Sequence, residues 1–231
     1  MRGILIFILV SAALCASPPY TRAQDPQNPE VHFGFKAGGN LSRVNFDPGV
    51  SQDISPGFLG GFTFQYLNQR NLGIKLELNY FQSGWKETID STSQYQRRLH
   101  YVRVPFMTHA RIGHGKTRFL LNIGPFVSAL LADQKSIQLA PGYQEPVYYR
   151  QDIGNRLEYG LCLGGGLSLN TSIGLFQLEG RINYSLSSLF KQPPDSPFTV
   201  SQNQSVEVSL SYLVDCTKIK RTSQVNSLRY E

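Results

Sequence analysis

Leu72, Ile74, Leu76, Leu78 and Tyr80 are apolar at every second position, and Lys75, Glu77 and Asn79 sit between them. A helix would scatter these residues around its circumference. An extended strand sorts them onto one oily and one charged face. The same two-residue period recurs along the chain and predicts eight strands, over residues 31–41, 57–67, 72–84, 97–112, 117–131, 156–169, 173–184 and 205–214. The fifth strand rests on its length and flanking turns more than on alternation. Pro105 interrupts the fourth and predicts a sheet edge or a bulge there.

The connections alternate in length. Polar stretches 43–56, 85–96, 132–155 and 185–204 are long; 68–71, 113–116 and 170–172 are tight turns. Long, short, long is the rhythm of barrels that cross an outer membrane, with short periplasmic turns and longer outer loops. Strands of about ten residues suit a tilted bilayer crossing. An even strand count puts both ends of the barrel on one side, the periplasm.

Charge placement separates two architectures. Lys36, Lys75, Glu77, Arg103, Arg111, Glu179, Arg181 and Glu207 all fall opposite the apolar face. In a soluble sandwich the apolar face would be the core and these charges would meet water. In a barrel set in lipid the apolar face looks out and the charges fill the lumen. The aromatics favour the barrel: Tyr66 and Tyr212 lie at one set of strand ends, and Tyr80, Trp85, Tyr159 and Tyr184 at the other, as interfacial girdles require. The expected fold is therefore all-β, an eight-stranded antiparallel up-and-down transmembrane barrel over residues 31–214. Eight strands leave room for side chains only. The inward charges should then pair, and the network is assigned to Lys75, Glu77, Arg103, Glu179, Arg181 and Glu207 with a structural role.

The N-terminus fits that compartment. Met1-Arg2 precedes an apolar run over 3–14, too short to span a bilayer, and Thr21-Arg22-Ala23-Gln24 closes the stretch. Residues 1–23 read as a secretory signal peptide cut after Ala23, with an N-terminal anchor or a lipoprotein signal at Cys15 as the competing readings. Residues 24–30 form a short leader and 215–231 a polar periplasmic tail bearing Lys218, Lys220 and Arg221. Removing the signal peptide leaves 20 basic and 16 acidic residues, a net charge of +4 that is too mild and too evenly spread for nucleic acid. Cys162 and Cys216 are placed too far apart by the strand register for a disulfide, and their spacing matches no metal site.

Leu76-Glu77-Leu78-Asn79-Tyr80-Phe81-Gln82-Ser83-Gly84 and Leu99-His100-Tyr101-Val102-Arg103-Val104-Pro105-Phe106 resemble paired strands of the PorT-like outer-membrane β-barrel family of Bacteroidota. Gly34 to Ser42 and Asn122-Ile123-Gly124-Pro125-Phe126 are similar to its first and fifth strands. The resemblance implies the barrel fold and the outer membrane. The namesake takes part in protein secretion and gliding, while many members have no assigned activity. The chain departs from the usual barrel ending, because Tyr212 is followed by Leu213-Val214 and a tail.

No catalytic set, metal site or cofactor motif emerges. His100 and His109 lie in the fourth strand and Asp90 and Ser91 in the loop before it, with no motif joining them. Gly164-Gly165-Gly166 sits inside a strand with no helix following, so it is not a phosphate loop. The expected function is a non-enzymatic scaffold or binding module. Trp85, Tyr95, Tyr143, Tyr148 and Tyr149 are its candidate contact residues on outer loops, against the alternative that they pack on one another or sit at the lipid interface. The expected partners are outer-membrane lipid and envelope or secretion proteins. A component of a secretion or envelope assembly complex is the second reading, and a rim-located lipid-modifying enzyme the third.

Overall fold

The computed structural model describes residues 29–69, 71–88, 93–141, 146–190 and 198–217. The signal peptide, most of the leader, Asp90, Ser91, Tyr143 and the tail beyond residue 217 lie outside the described residues. The chain forms one closed ring of eight antiparallel strands, each bonded to its sequence neighbours, with β1 closing on β8. The strands are β1 (Glu30–Asp47), β2 (Ser55–Leu67), β3 (Leu72–Thr88), β4 (Gln94–Ile112), β5 (Thr117–Gln138), β6 (Leu157–Asn170), β7 (Leu175–Ser185) and β8 (Val200–Asp215). One short helix, α1 (Val147–Arg150), lies in the β5–β6 connection. The short turns share one end of the ring with the first and last described residues, where the Val31 amide donates to Thr217 Oγ1 at 2.9 Å. The long connections occupy the far end.

The wall follows from alternation. Phe35, Phe62 and Leu78 point out and are 58, 56 and 52 % exposed. Lys75, Glu77, Gln177 and Glu179 point in and are buried. A polypeptide in water would not leave a continuous oily belt outside and its ions within; lipid reverses the preference.

The strands run further toward the far end than the sequence pattern predicts. Residues 43–47, 85–88, 94–96, 132–138 and 200–204 belong to strands where loops are expected. The cause is an inversion of polarity along the same alternation. Above the ionic part of the lumen, the inward residues become Val44, Phe46, Trp85, Tyr95 and Leu99, all buried, while Arg43, Asn45 and Gln96 face outward. In β5 a bulge adds to this. His100 pairs with Ala132 and Tyr101 with Leu130, leaving Leu131 without a partner. One unpaired residue moves every later side chain to the opposite face, which ends the apparent period at Leu131.

Pro105 makes neither an edge nor a bulge. The ring is closed, and β3–β4 pairing lapses between Leu76↔Phe106 and Asn79↔Arg103, where Pro105 offers no N–H. On its other side Pro105 still pairs with Phe126. Gly84 marks a close approach: its φ is +155° and a Cβ there would stand 2.1 Å from the Arg97 carbonyl oxygen. Cys162 is buried in the wall and Cys216 partly buried beyond β8, and both are free thiols.

A charge on the outward face tests the medium. Leu78→Arg, level with the ionic layer, is expected to lower folding stability in phospholipid vesicles by about 2–4 kcal/mol. Equilibrium urea titration of vesicle-inserted protein reads the change, and an unchanged midpoint would contradict a lipid-facing Leu78.

Candidate functional site

Six ionised side chains from four strands meet at mid-height in the lumen. Lys36 comes from β1, Lys75 and Glu77 from β3, Glu179 and Arg181 from β7, and Glu207 from β8. The i, i+2 spacing of Lys75/Glu77 and of Glu179/Arg181 puts each pair on the inner face of its strand. Arg181 spans the lumen, donating from Nη1 and Nη2 to the two Glu77 oxygens at 2.9 and 2.8 Å and from Nη2 to Glu179 Oε1 at 2.9 Å. Lys75 Nζ lies 2.7 Å from Glu179 and 3.2 Å from Glu77. Lys36 Nζ joins Glu77 at 3.1 Å to Glu207 at 3.0 Å. Three cations meet three anions, so the cluster is neutral. Amides add further donors to the carboxylates: Asn79 donates to Glu77, Asn122 to Glu179 and Asn183 to Glu207 at 2.8, 2.8 and 3.1 Å. His109 extends the chain, its Nδ1 2.6 Å from Asn122 Oδ1.

The structure thus brings together five of the six residues expected in the network and leaves Arg103 out of it. Arg103 is sandwiched one layer nearer the far end, its guanidinium carbon 3.7 Å from the Phe81 ring centre and 4.3 Å from that of Phe126. It donates to Ser128 Oγ at 2.9 Å and approaches Glu158 at 3.5 Å. Two flanking rings and a nearer carboxylate decide its place. Lys36 takes the sixth position. The alternation had set it on the inner face, and its ladder neighbours Gly61 and Ser211 are small enough for its chain to cross over them.

Four of the five aromatics expected on outer loops are described, and they pack inside the barrel mouth. Trp85 and Tyr95 lie on strands rather than loops, and with Tyr149 they are buried. Trp85 is correspondingly absent from the outward girdle, where Tyr159 and Tyr184 do stand exposed. Tyr95 and Tyr149 stack at 3.9 Å, and Phe46 packs on Trp85, Phe190 and Phe198. At their centre Glu87 accepts from Trp85 Nε1 at 2.9 Å, Tyr148 Oη at 2.7 Å and Tyr149 Oη at 2.9 Å. Burial and the Glu87 carboxylate push the Tyr148 phenol well above its ordinary value, so it stays a donor. Arg97 closes one side, held by both Asp133 oxygens at 2.9 and 2.5 Å and lying 5.5 Å from the Phe190 ring centre. Below α1, Lys135 Nζ donates to the Arg150 and Gln151 carbonyls and to Asp152 at 3.1, 3.3 and 3.0 Å. That hydrogen bond lowers the Asp152 carboxyl below its usual range. The wall beyond the lipid level removes these rings from water, which a free loop could not do.

Of the rim residues weighed for chemistry, Asp90 and Ser91 lie outside the described residues. His100 faces outward and contacts the Tyr80 hydroxyl through Nδ1. Among the described residues no three His, Cys, Asp or Glu side chains group as metal ligands.

The family described as outer membrane protein beta-barrel domain matches residues 22–191. Solved structures similar to the chain include Ail, the attachment invasion locus protein of Yersinia pestis, at 14 % identity and a TM-score of 0.42, covering 80 % of this chain and 99 % of that one. Neisserial surface protein A is similar at 11 % identity and a TM-score of 0.42, covering 78 % and 96 %. OprG from Pseudomonas aeruginosa is similar at 11 % identity and a TM-score of 0.40, covering 80 % and 94 %. No curated protein matches the chain.

Two variants, one single and one double, test the ionic layer. Glu77→Gln leaves three buried cations facing two carboxylates and should cost about 3–5 kcal/mol, whereas Lys36→Met with Glu207→Gln, which preserves neutrality, should cost clearly less than its two single changes combined. Urea titration in vesicles measures both. Glu87→Ala strips three donors of their acceptor; amide exchange across Tyr148 to Arg150 should accelerate while the β3–β7 amides keep their protection.

Proposed function

Since the chain belongs to the outer membrane protein beta-barrel domain family, we propose that it is a sealed outer-membrane anchor that presents a protein-docking strand on its far rim. The family assignment sets it in the outer membrane. In this reading the far end faces outward and both mature termini face the periplasm, in keeping with the short turns beside them.

The lumen supports sealing rather than transport. The neutral ionic layer, the Arg103 layer and the aromatic mouth stand one above another, each made of buried side chains. Among the described residues each of the six ions of that layer is paired with at least one opposite charge, which favours a blocked lumen over an ion path. The network's role here is structural.

The observation that carries the docking reading is an open strand edge. β3, β4 and β5 continue past the ring as a three-stranded flap, with pairs from Thr88↔Gln94 and Gln94↔Gln138 downward. Ladder pairing of β5 with β6 ends at Ala129↔Leu157. One more bond, from the Leu130 amide to the Arg156 carbonyl at 2.8 Å, closes that side. Residues 132–138 are paired with β4 alone among the described residues, and most of their side chains are exposed. Such an edge presents unpaired N–H and C=O groups to an incoming strand. The sequence likeness to PorT-like barrels makes an envelope secretion protein one class of partner for it.

A photo-cross-linking side chain at Gln134, in protein expressed in its native membranes, is expected to give a discrete protein adduct, with the same group at lipid-facing Leu163 giving none. Absence of an adduct at Gln134, or equal adducts from both positions, would overturn the docking strand.

A further inference from the structure

The outward wall where β1, β8 and β7 run side by side carries a groove of about 420 Å³. Its layout follows from the register. Arg43, Gln204 and Tyr184 form one cross-strand row, because Arg43 pairs with Gln204 and Gln204 with Tyr184. Two residues toward the membrane centre, the row is Leu41, Val206 and Ile182, all more than half exposed. Two residues further, it is Gly39, Val208 and Gly180. A Cβ built at Gly39 or Gly180 would find its nearest neighbour at 3.8 or 3.9 Å, so both glycines leave a hollow rather than a tight approach. Ile54 overhangs the groove from the β1–β2 connection.

The groove continues upward past Arg43 and Ile54 into a second hollow of about 300 Å³ that also touches Asn45 and Gln52. The lower part is apolar and the upper part polar. The Arg43 guanidinium stands at the junction. Its Nε donates to Gln204 Oε1 at 3.2 Å, and among the described residues no carboxylate neutralises it. Above it, Asn45 faces outward across from Gln202. A lone exposed cation at the top of an oily wall is costly to leave without an anion in a membrane. Arginine binds phosphate through paired N–H groups, and amides suit sugar hydroxyls.

We propose that this groove holds a phosphorylated glycolipid, one acyl chain lying along Leu41, Val206, Ile182 and the glycine hollow, its sugar phosphate on Arg43 and its sugar against Asn45 and Gln204. The identification rests on the orientation proposed above, which sets the far rim in the glycolipid-bearing outer leaflet. A simple phospholipid would use the trough and the cation but leave the amide rim unengaged.

The test is lipid retention by the purified full-length protein in detergent, read by native mass spectrometry after addition of bis-phosphorylated lipid A. The wild type should keep one lipid A molecule. Arg43→Gln should weaken retention about tenfold, as loss of one charge-assisted contact predicts, and removal of the lipid's phosphates should do the same. Gly180→Leu fills the hollow from a position where its Cβ meets only the Gly165 carbonyl oxygen, at an ordinary contact distance of 3.9 Å, and should abolish retention; unchanged heat-modified gel mobility shows that the variant still folds. Equal retention by wild type and both variants would overturn the site, as would phosphatidylglycerol retained as well as lipid A. Retention in micelles does not depend on orientation. A cysteine at Gln138 that resists membrane-impermeant labelling on intact cells would refute the orientation alone.

Discussion

The condition that the rest of the barrel answers to is electrical neutrality at mid-lumen. Lys36, Lys75 and Arg181 are buried away from bulk solvent, and so are Glu77, Glu179 and Glu207. An ion in that position is tolerable only when its partners are held close and their lone pairs are used. The cluster meets that demand by drawing on β1, β3, β7 and β8 at once, with Arg181 reaching 104 residues back along the chain to Glu77. Removing either wall strands a charge. The network therefore specifies which strands face each other across the lumen and at what height, besides any stability it adds.

Two solvents shape the remainder. The outward belt is oily because lipid is its medium, and the same logic forbids polar groups there unless something answers them. Arg43, at the upper margin of that belt, is such a group, and its neighbours form a groove instead of a salt bridge. Above the belt the outside of the wall becomes polar and the inside apolar, so the mouth packs like the core of a soluble protein around Trp85, Phe46 and Phe198. The buried Glu87 carboxylate ties α1 onto that core through two tyrosines. Among the described residues, 132–138 of β5 pair with β4 on one side only. A closed ring with an open edge and an outward groove is the arrangement from which the anchoring role is proposed.

Much of this was legible in the residues. The period of two identified the strands and their inner and outer faces, because side-chain direction in a strand is fixed by position alone. Alternating loop lengths gave the ring, and the charged inner positions gave five members of the central cluster. The loops were less legible. Trp85, Tyr95 and Tyr149 looked like exposed contact residues because they lie where apolar-outward alternation ceases. The alternation had in fact continued with its sign reversed, and the Leu131 bulge hid its continuation in β5.

Taken alone, then, the sequence determined which residues point the same way, how many strands there are and which medium each face needs, since these depend on local geometry and solvation. Only the tertiary structure decided which inward residues meet. Arg103 and Arg181 carry the same charge on the same kind of face, and one became the hub of the ionic layer while the other stacked between two rings. That choice depends on which side chains stand across the lumen at each height, a quantity fixed by strand stagger and closure and carried by no single strand.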